Sequence, residues 1–145
     1  MPTTYLPPTD NVVRFVKNRL LRRDSDDNVI GVLPGAFELR EDETYLSVTW
    51  IEYFAGSAEE RLEAAVRAVK EQLTVKPKDG FALAGVARLT EIAETVSVRI
   101  RITHEPLPKN NGHSGIRGLP RDHVDLLARL ADEACHDTRI AGTFP

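Results

Sequence analysis

Cysteine, tryptophan and methionine each occur once in these 145 residues, and aromatic residues make up only 6%. The lone cysteine, Cys135, excludes an intrachain disulfide and points to a reducing, cytoplasmic setting. So thin an aromatic content does not support a stacking platform for single strands. No run approaches the ~18 apolar residues that a membrane-spanning helix needs, so no membrane partner is expected. Met1-Pro2-Thr3-Thr4-Tyr5-Leu6-Pro7-Pro8 has no basic region followed by an apolar run, so it does not read as a secretory signal. Neither sign of charge dominates: 19 basic and 22 acidic residues leave a net charge of -3. That opposes nonspecific nucleic-acid binding, whose usual footprint is a strongly basic surface. A Walker A loop and Gly-x-Gly-x-x-Gly are both missing, which removes those routes to nucleotides.

What is there suits one domain, residues 1–145, able to bury roughly 70% of its unfolded surface. Residues 1–10, with Pro2, Pro7 and Pro8, read as an extended lead-in. Val12 to Val16 reads as a strand, with a helix running on through Leu21 as the alternative. Asp24 to Asn28 is a loop, and Val29 to Leu33 a short apolar piece before Pro34-Gly35. Tyr45 to Phe54 predicts a central strand, with Leu46, Val48 and Trp50 on its apolar face. Ser57 and Glu60 form a capping box, and Leu62, Ala65, Val66, Val69 and Leu73 fall at helical spacing, which predicts a helix over 57–74. Phe81 to Val86 reads as a buried strand or a helix start, and Ala87 to Glu94 as a short helix. Val96, Val98, Ile100 and Ile102 alternate with polar residues through Thr103, which predicts a strand with one wet face, in an antiparallel or edge position. Residues 105–120 read as a long loop. A last helix is expected from Asp122 to Cys135, with Val124, Leu127, Leu130, Ala131 and Ala134 inward. Mixed strands and helices without strict alternation predict an α+β fold: a mainly antiparallel sheet with two to three helices packed on one face.

Familiar motifs fail at named residues. Gly112-His113-Ser114-Gly115 lacks the second glycine of a serine-hydrolase elbow, because Ile116 stands there. Asp24 to Asn28 imitates half of a calcium loop, but Val29 replaces the glycine and Gly35 the closing glutamate. His104, His113, His123 and His136 follow no known zinc spacing.

The remaining candidates are scattered. His104 continues the apolar face of its strand, and a returning loop would bring His113 to it, beside Asn110, Asn111, Ser114 and Arg117. Two imidazoles with Glu52 or Glu105 nearby would suit a metal or acid-base chemistry near neutral pH. The simpler reading has His104 capping the strand and His113 bonded within its own loop. Arg14, Lys17, Arg19, Arg22 and Arg23 form a basic cluster, offset at once by Asp24, Asp26 and Asp27.

Two stretches carry a resemblance. Leu33-Pro34-Gly35-Ala36-Phe37-Glu38-Leu39-Arg40 through Tyr45-Leu46-Ser47-Val48-Thr49-Trp50-Ile51-Glu52, with His113-Ser114-Gly115-Ile116-Arg117-Gly118-Leu119-Pro120, resembles a group of small bacterial proteins without an assigned activity. The resemblance implies a bacterial, single-domain protein and transfers no catalytic residue.

Three functional expectations follow. The first is a noncatalytic interaction or accessory domain, without cofactor, binding another protein through the central strand's rim and the 105–120 loop; homodimers through edge strands fit the same reading. The second is a small metal-dependent or acid-base hydrolase using His104 and His113. The third is a nucleic-acid accessory acting through the N-terminal basic cluster.

Overall fold

Short β-branched runs separated by turn residues build a sheet whose two faces differ in character. A computed structural model describes residues 3–145. Its strands are β1 (Asn11–Val16), β2 (Leu21–Arg23), β3 (Val29–Val32), β4 (Leu46–Trp50), β5 (Gly80–Gly85), β6 (Arg101–His104), β7 (His113–Arg117) and β8 (Cys135–Ile140). Its helices are α1 (Ala58–Gln72), α2 (Val86–Thr95) and α3 (Val124–Arg129). Six strands form one antiparallel sheet in the order β6-β7-β4-β1-β5-β8, and β2 and β3 form a separate hairpin. The chain is thus an α+β domain with a mainly antiparallel sheet and three helices. Among the described residues, no helix is long and apolar enough to cross a membrane.

The helices divide between the two faces, which extends the expectation of a single covered face. In β1, Val12 and Val16 join the core under α2 and α3, while Val13 and Phe15 join the core under α1. The reason is visible in β1 and β5, which are apolar at consecutive positions and so need cover on both sides. Ser57 and Glu60 cap α1 reciprocally as their spacing predicts, with Glu60 N–H donating to Ser57 Oγ and Ser57 N–H to Glu60 Oε1. Met1 and Pro2 lie outside the described residues; from Thr3 to Pro7 the lead-in is extended before a turn at Pro8-Thr9, and it closes the β6 edge: Leu6 N–H donates to Ile102 O and His104 N–H to Thr4 O.

Four expectations change. The 105–120 segment is not a long loop, because its middle is β7, an interior strand with neighbours on both sides. The strand expected from Val96 shortens to Arg101–His104: Ser97 takes φ 60°, and Gly118 (φ 89°) turns the chain away after Arg117. Residues 98–100 therefore have no partner for their ladder, although Ile100 is still buried. Val124 lies outside, 70% exposed, while Leu126 is fully buried. The last helix ends in a π-turn over Leu130–Ala134 and leads into β8, an edge strand of mixed polarity that the sequence reading did not find.

Gly115 pairs with Ser47, and the ring of Tyr45 lies directly over it. A Cβ at this position would run into the base of the ring, which cannot simply swing its tip aside. Gly115→Ala is expected to lower stability by about 1–3 kcal/mol in chemical denaturation, the usual cost of overpacking. The same substitution made together with Tyr45→Ala should cost clearly less than the sum of the two. Strict additivity would mean that Tyr45 does not set the requirement for glycine.

Candidate functional site

β4 sets the site because its two faces differ. Leu46 and Val48 enter the core, while Ser47 and Thr49 face the α1 side at the C-terminal end of the helix, where Thr49 is buried and Ser47 half-buried. There the chain leaves a cleft of about 560 Å³, within the range that holds small molecules. Its walls come from β1, β4, the C-terminal turn of α1 and the 35–43 segment, with His113 of β7 at one end.

Arg14 lies in the wall. Its Nε donates to Ala36 O at 2.9 Å and its Nη1 to Ser47 O at 2.7 Å. Burial pushes its pKa down to about 10, with Glu43 opposing that shift and Arg40 adding to it. No carboxylate forms a salt bridge with it among the described residues. Glu43 instead accepts the Arg40 N–H. Lys17, Arg19 and Arg40 line the same cleft, opposed by Glu38 and Glu43.

His113 is buried, with its ring held at both nitrogens. Nδ1 lies 2.8 Å from Glu105 O and Nε2 lies 3.2 Å from Ser47 Oγ. A carbonyl only accepts, so Nδ1 carries the proton; Nε2 of the neutral ring then accepts from the Ser47 hydroxyl. Behind it, Asn110 Nδ2 donates to Thr49 Oγ1 and Gln72 Oε1, which ties the 107–110 turn to β4 and α1. Glu105 accepts from Thr103 Oγ1 at 2.6 Å and from Arg117 at 2.9 and 3.0 Å. The hydroxyl and then the guanidinium hold the carboxylate below its ordinary pKa. Arg117 also lies over Tyr45, 4.7 Å from the ring centroid.

His104 and His113 do not meet. His104 pairs with Ser114, so it shares a face with Ser114, and His113 points to the other side of the sheet. His104 packs on Trp50 and Tyr53, and its Nε2 donates to Asn111 O at 2.7 Å. Trp50 is half-buried, and its indole N–H donates to Asp10. A shared metal on the two imidazoles is excluded by this geometry. No cluster of three metal-ligating side chains occurs among the described residues.

The other candidates have structural partners. Glu52 accepts from the Asn11 N–H and from Asn11 Nδ2, pinning the start of β1. Ser114 is fully buried and donates to Gly112 O, so it is no nucleophile. Asn110 is buried in its network, Asn111 is exposed, and Arg117 belongs to Glu105. The basic cluster is divided: Arg14, Lys17 and Arg19 line the cleft, while Arg22 pairs with Asp132 and Arg23 with Asp27. Ser47, Thr49 and Gln72 were missed by sequence reasoning. The available signal was Ser47 and Thr49 sharing one face of an otherwise apolar strand.

No family model matches the chain, and neither does any curated protein or any solved structure.

The pH dependence of stability follows from Glu105. Its folded pKa is depressed, so the stability it contributes is complete above the ordinary glutamate value of 4.5 and is lost as pH falls through the lower folded value. Glu105→Gln should therefore unfold about 1 kcal/mol more easily than wild type at neutral pH, a modest figure for a partly exposed ion pair. The difference should shrink in urea titrations below pH 4.5. A gap that is constant with pH would remove the carboxylate as its source.

Proposed function

We propose that the chain is a cytoplasmic small-molecule binding domain whose cleft takes a compact anion, a molecule carrying a carboxylate or phosphate. One observation supports the reading: the half-buried Arg14 guanidinium is bonded to two carbonyl oxygens and forms no salt bridge with a carboxylate among the described residues. Glu43 acts on this partly desolvated cation through space but does not pair with it, so a bound anion would recover part of the free energy of its desolvation. Four basic side chains against two carboxylates give the cleft a local positive balance in a chain whose net charge is -3. Planar guanidinium nitrogens suit the paired oxygens of carboxylate and phosphate. In this reading the partner is a small molecule rather than another protein. The reducing location rests on the single cysteine, whose thiol burial pushes up to about 12, so that it stays protonated and unreactive.

Calorimetric titration with inorganic phosphate, pyrophosphate and citrate tests the reading. Saturable binding of at least one is expected, weakening with salt, and at least about tenfold weaker in Arg14→Met, the loss of one charge-assisted contact. Absence of saturable binding by all three at millimolar concentration would overturn the proposal, as would equal affinity in Arg14→Met.

A further inference from the structure

Ser47 and His113 stand in the relation that nucleophilic catalysis requires. The hydroxyl donates to Nε2 at 3.2 Å, and the opposite ring nitrogen donates to Glu105 O at 2.8 Å, which fixes the tautomer and the ring plane. A nucleophile, a base and a group that orients the base are thus in sequence, with a backbone carbonyl in the third role. Both side chains border the cleft. Ser47 is half-buried and lines the cleft, whereas His113 is buried and has little freedom to turn. Arg14 donates to the backbone carbonyl of Ser47 and lines the same cleft, so the two residues border one space from different elements.

We propose that Ser47 is an acyl-accepting nucleophile, with His113 as its base, for hydrolysis of small carboxylate- or phosphate-bearing esters held in the cleft. The inference rests on the anion-binding reading for its substrate class and on the Ser47–His113 geometry for its chemistry. Ser47 Oγ bonds to the ester carbonyl carbon as His113 Nε2 takes the hydroxyl proton. The tetrahedral oxyanion collapses, the ester C–O bond breaks, and His113 returns the proton to the departing alkoxide, releasing an alcohol. Water then attacks the acyl-serine while His113 takes a proton from it. The C–O bond to Ser47 breaks, the serine regains its proton, and a carboxylic acid leaves. Water is the sole co-reactant, and no electron changes hands.

The test is intact-mass and peptide-mass analysis of the full-length protein after exposure to an alkyl fluorophosphonate, alongside hydrolysis of 4-nitrophenyl acetate and mono-4-nitrophenyl succinate. The expected result is one phosphonyl adduct, mapped to Ser47. Nitrophenolate release should favour the succinate ester and fall at least 100-fold in Ser47→Ala and in His113→Gln. Adduct mapping on the wild-type protein keeps the proposal testable even if the His113 variant does not fold. An unlabelled Ser47, an adduct mapped elsewhere, or hydrolysis unchanged in Ser47→Ala would overturn it. The two readings fail separately. Wild-type protein that binds phosphate or citrate but is never acylated loses only the catalytic inference. Protein that is acylated at Ser47 and binds no anion loses only the reading of the cleft.

Discussion

How much of a sheet one helix can cover governs this molecule. α1 has 15 residues, so it is about 22 Å long and roughly 10 Å across. The six strands beside it spread over about 24 Å, at ~4.8 Å per strand. Laid over β1 and β5, the helix buries Val13, Phe81 and Leu83, and only its C-terminal end reaches β4, through Gln72 and the Asn110–Thr49 bond. The opposite face receives α2, α3 and the 34–37 turn and is mainly apolar, with Arg14, Ser114 and His104 as polar members. The β4-β7-β6 half of the α1 side is covered by polar side chains and turns instead, with Thr49, Thr103 and His113 themselves buried. It carries Ser47, Thr49, Thr103, Glu105, His113 and Arg117, whose groups bond to one another or border the cleft.

Within that half, polar groups are sorted by whether the fold satisfies them. Asn110, Thr49 and Gln72 complete one another, and Glu105 has Thr103 and Arg117. Such networks fix geometry, because a member that moves leaves its partner unsatisfied at a cost of about 1–3 kcal/mol. Arg14 differs in kind. Its hydrogen bonds fix its position, but dipoles of two carbonyls do not supply a full negative charge. The fold thus fixes the guanidinium with Glu43's charge nearby but unpaired to it, which is the feature the proposed anion-binding reading uses.

The sequence made legible whatever depends on local periodicity. The capping box and apolar stripe of α1, the β-branched run of β1 and the extended lead-in could be read directly from residue types. β7 could not, because His113-Ser114-Gly115-Ile116-Arg117 contains one β-branched residue, and its glycine is required by Tyr45 rather than by a turn. β8 was hidden for a related reason: an edge strand with one partner needs few apolar residues, and Asp137 and Arg139 suit its exposed position. Missing β7 also misplaced the site. While 105–120 stood as a loop, His104 and His113 looked free to converge; as neighbouring positions on paired strands, they are held to opposite faces. Arg14 appeared only as one charge among five, since nothing local distinguishes the arginine that the 34–37 turn covers from those that face water.

The register of β7 is therefore as consequential for function as any side chain. A slip of one residue against β4 would turn His113 into the core and put Ser114 or Gly112 in its place opposite Thr49, so the base would be lost from the cleft. Several contacts oppose that slip together. Ile116 is fully buried and would lose its place in the core, while Gly115 is the residue there that fits beneath Tyr45. Gly118 supplies the positive φ at which the strand must end. Asn110 fixes the approach to the strand by accepting the Gly112 N–H while donating to Thr49. These residues touch no ligand in the proposed chemistry. They nevertheless decide which face the imidazole occupies, and the site exists because the packing of the opposite face leaves β7 a single register.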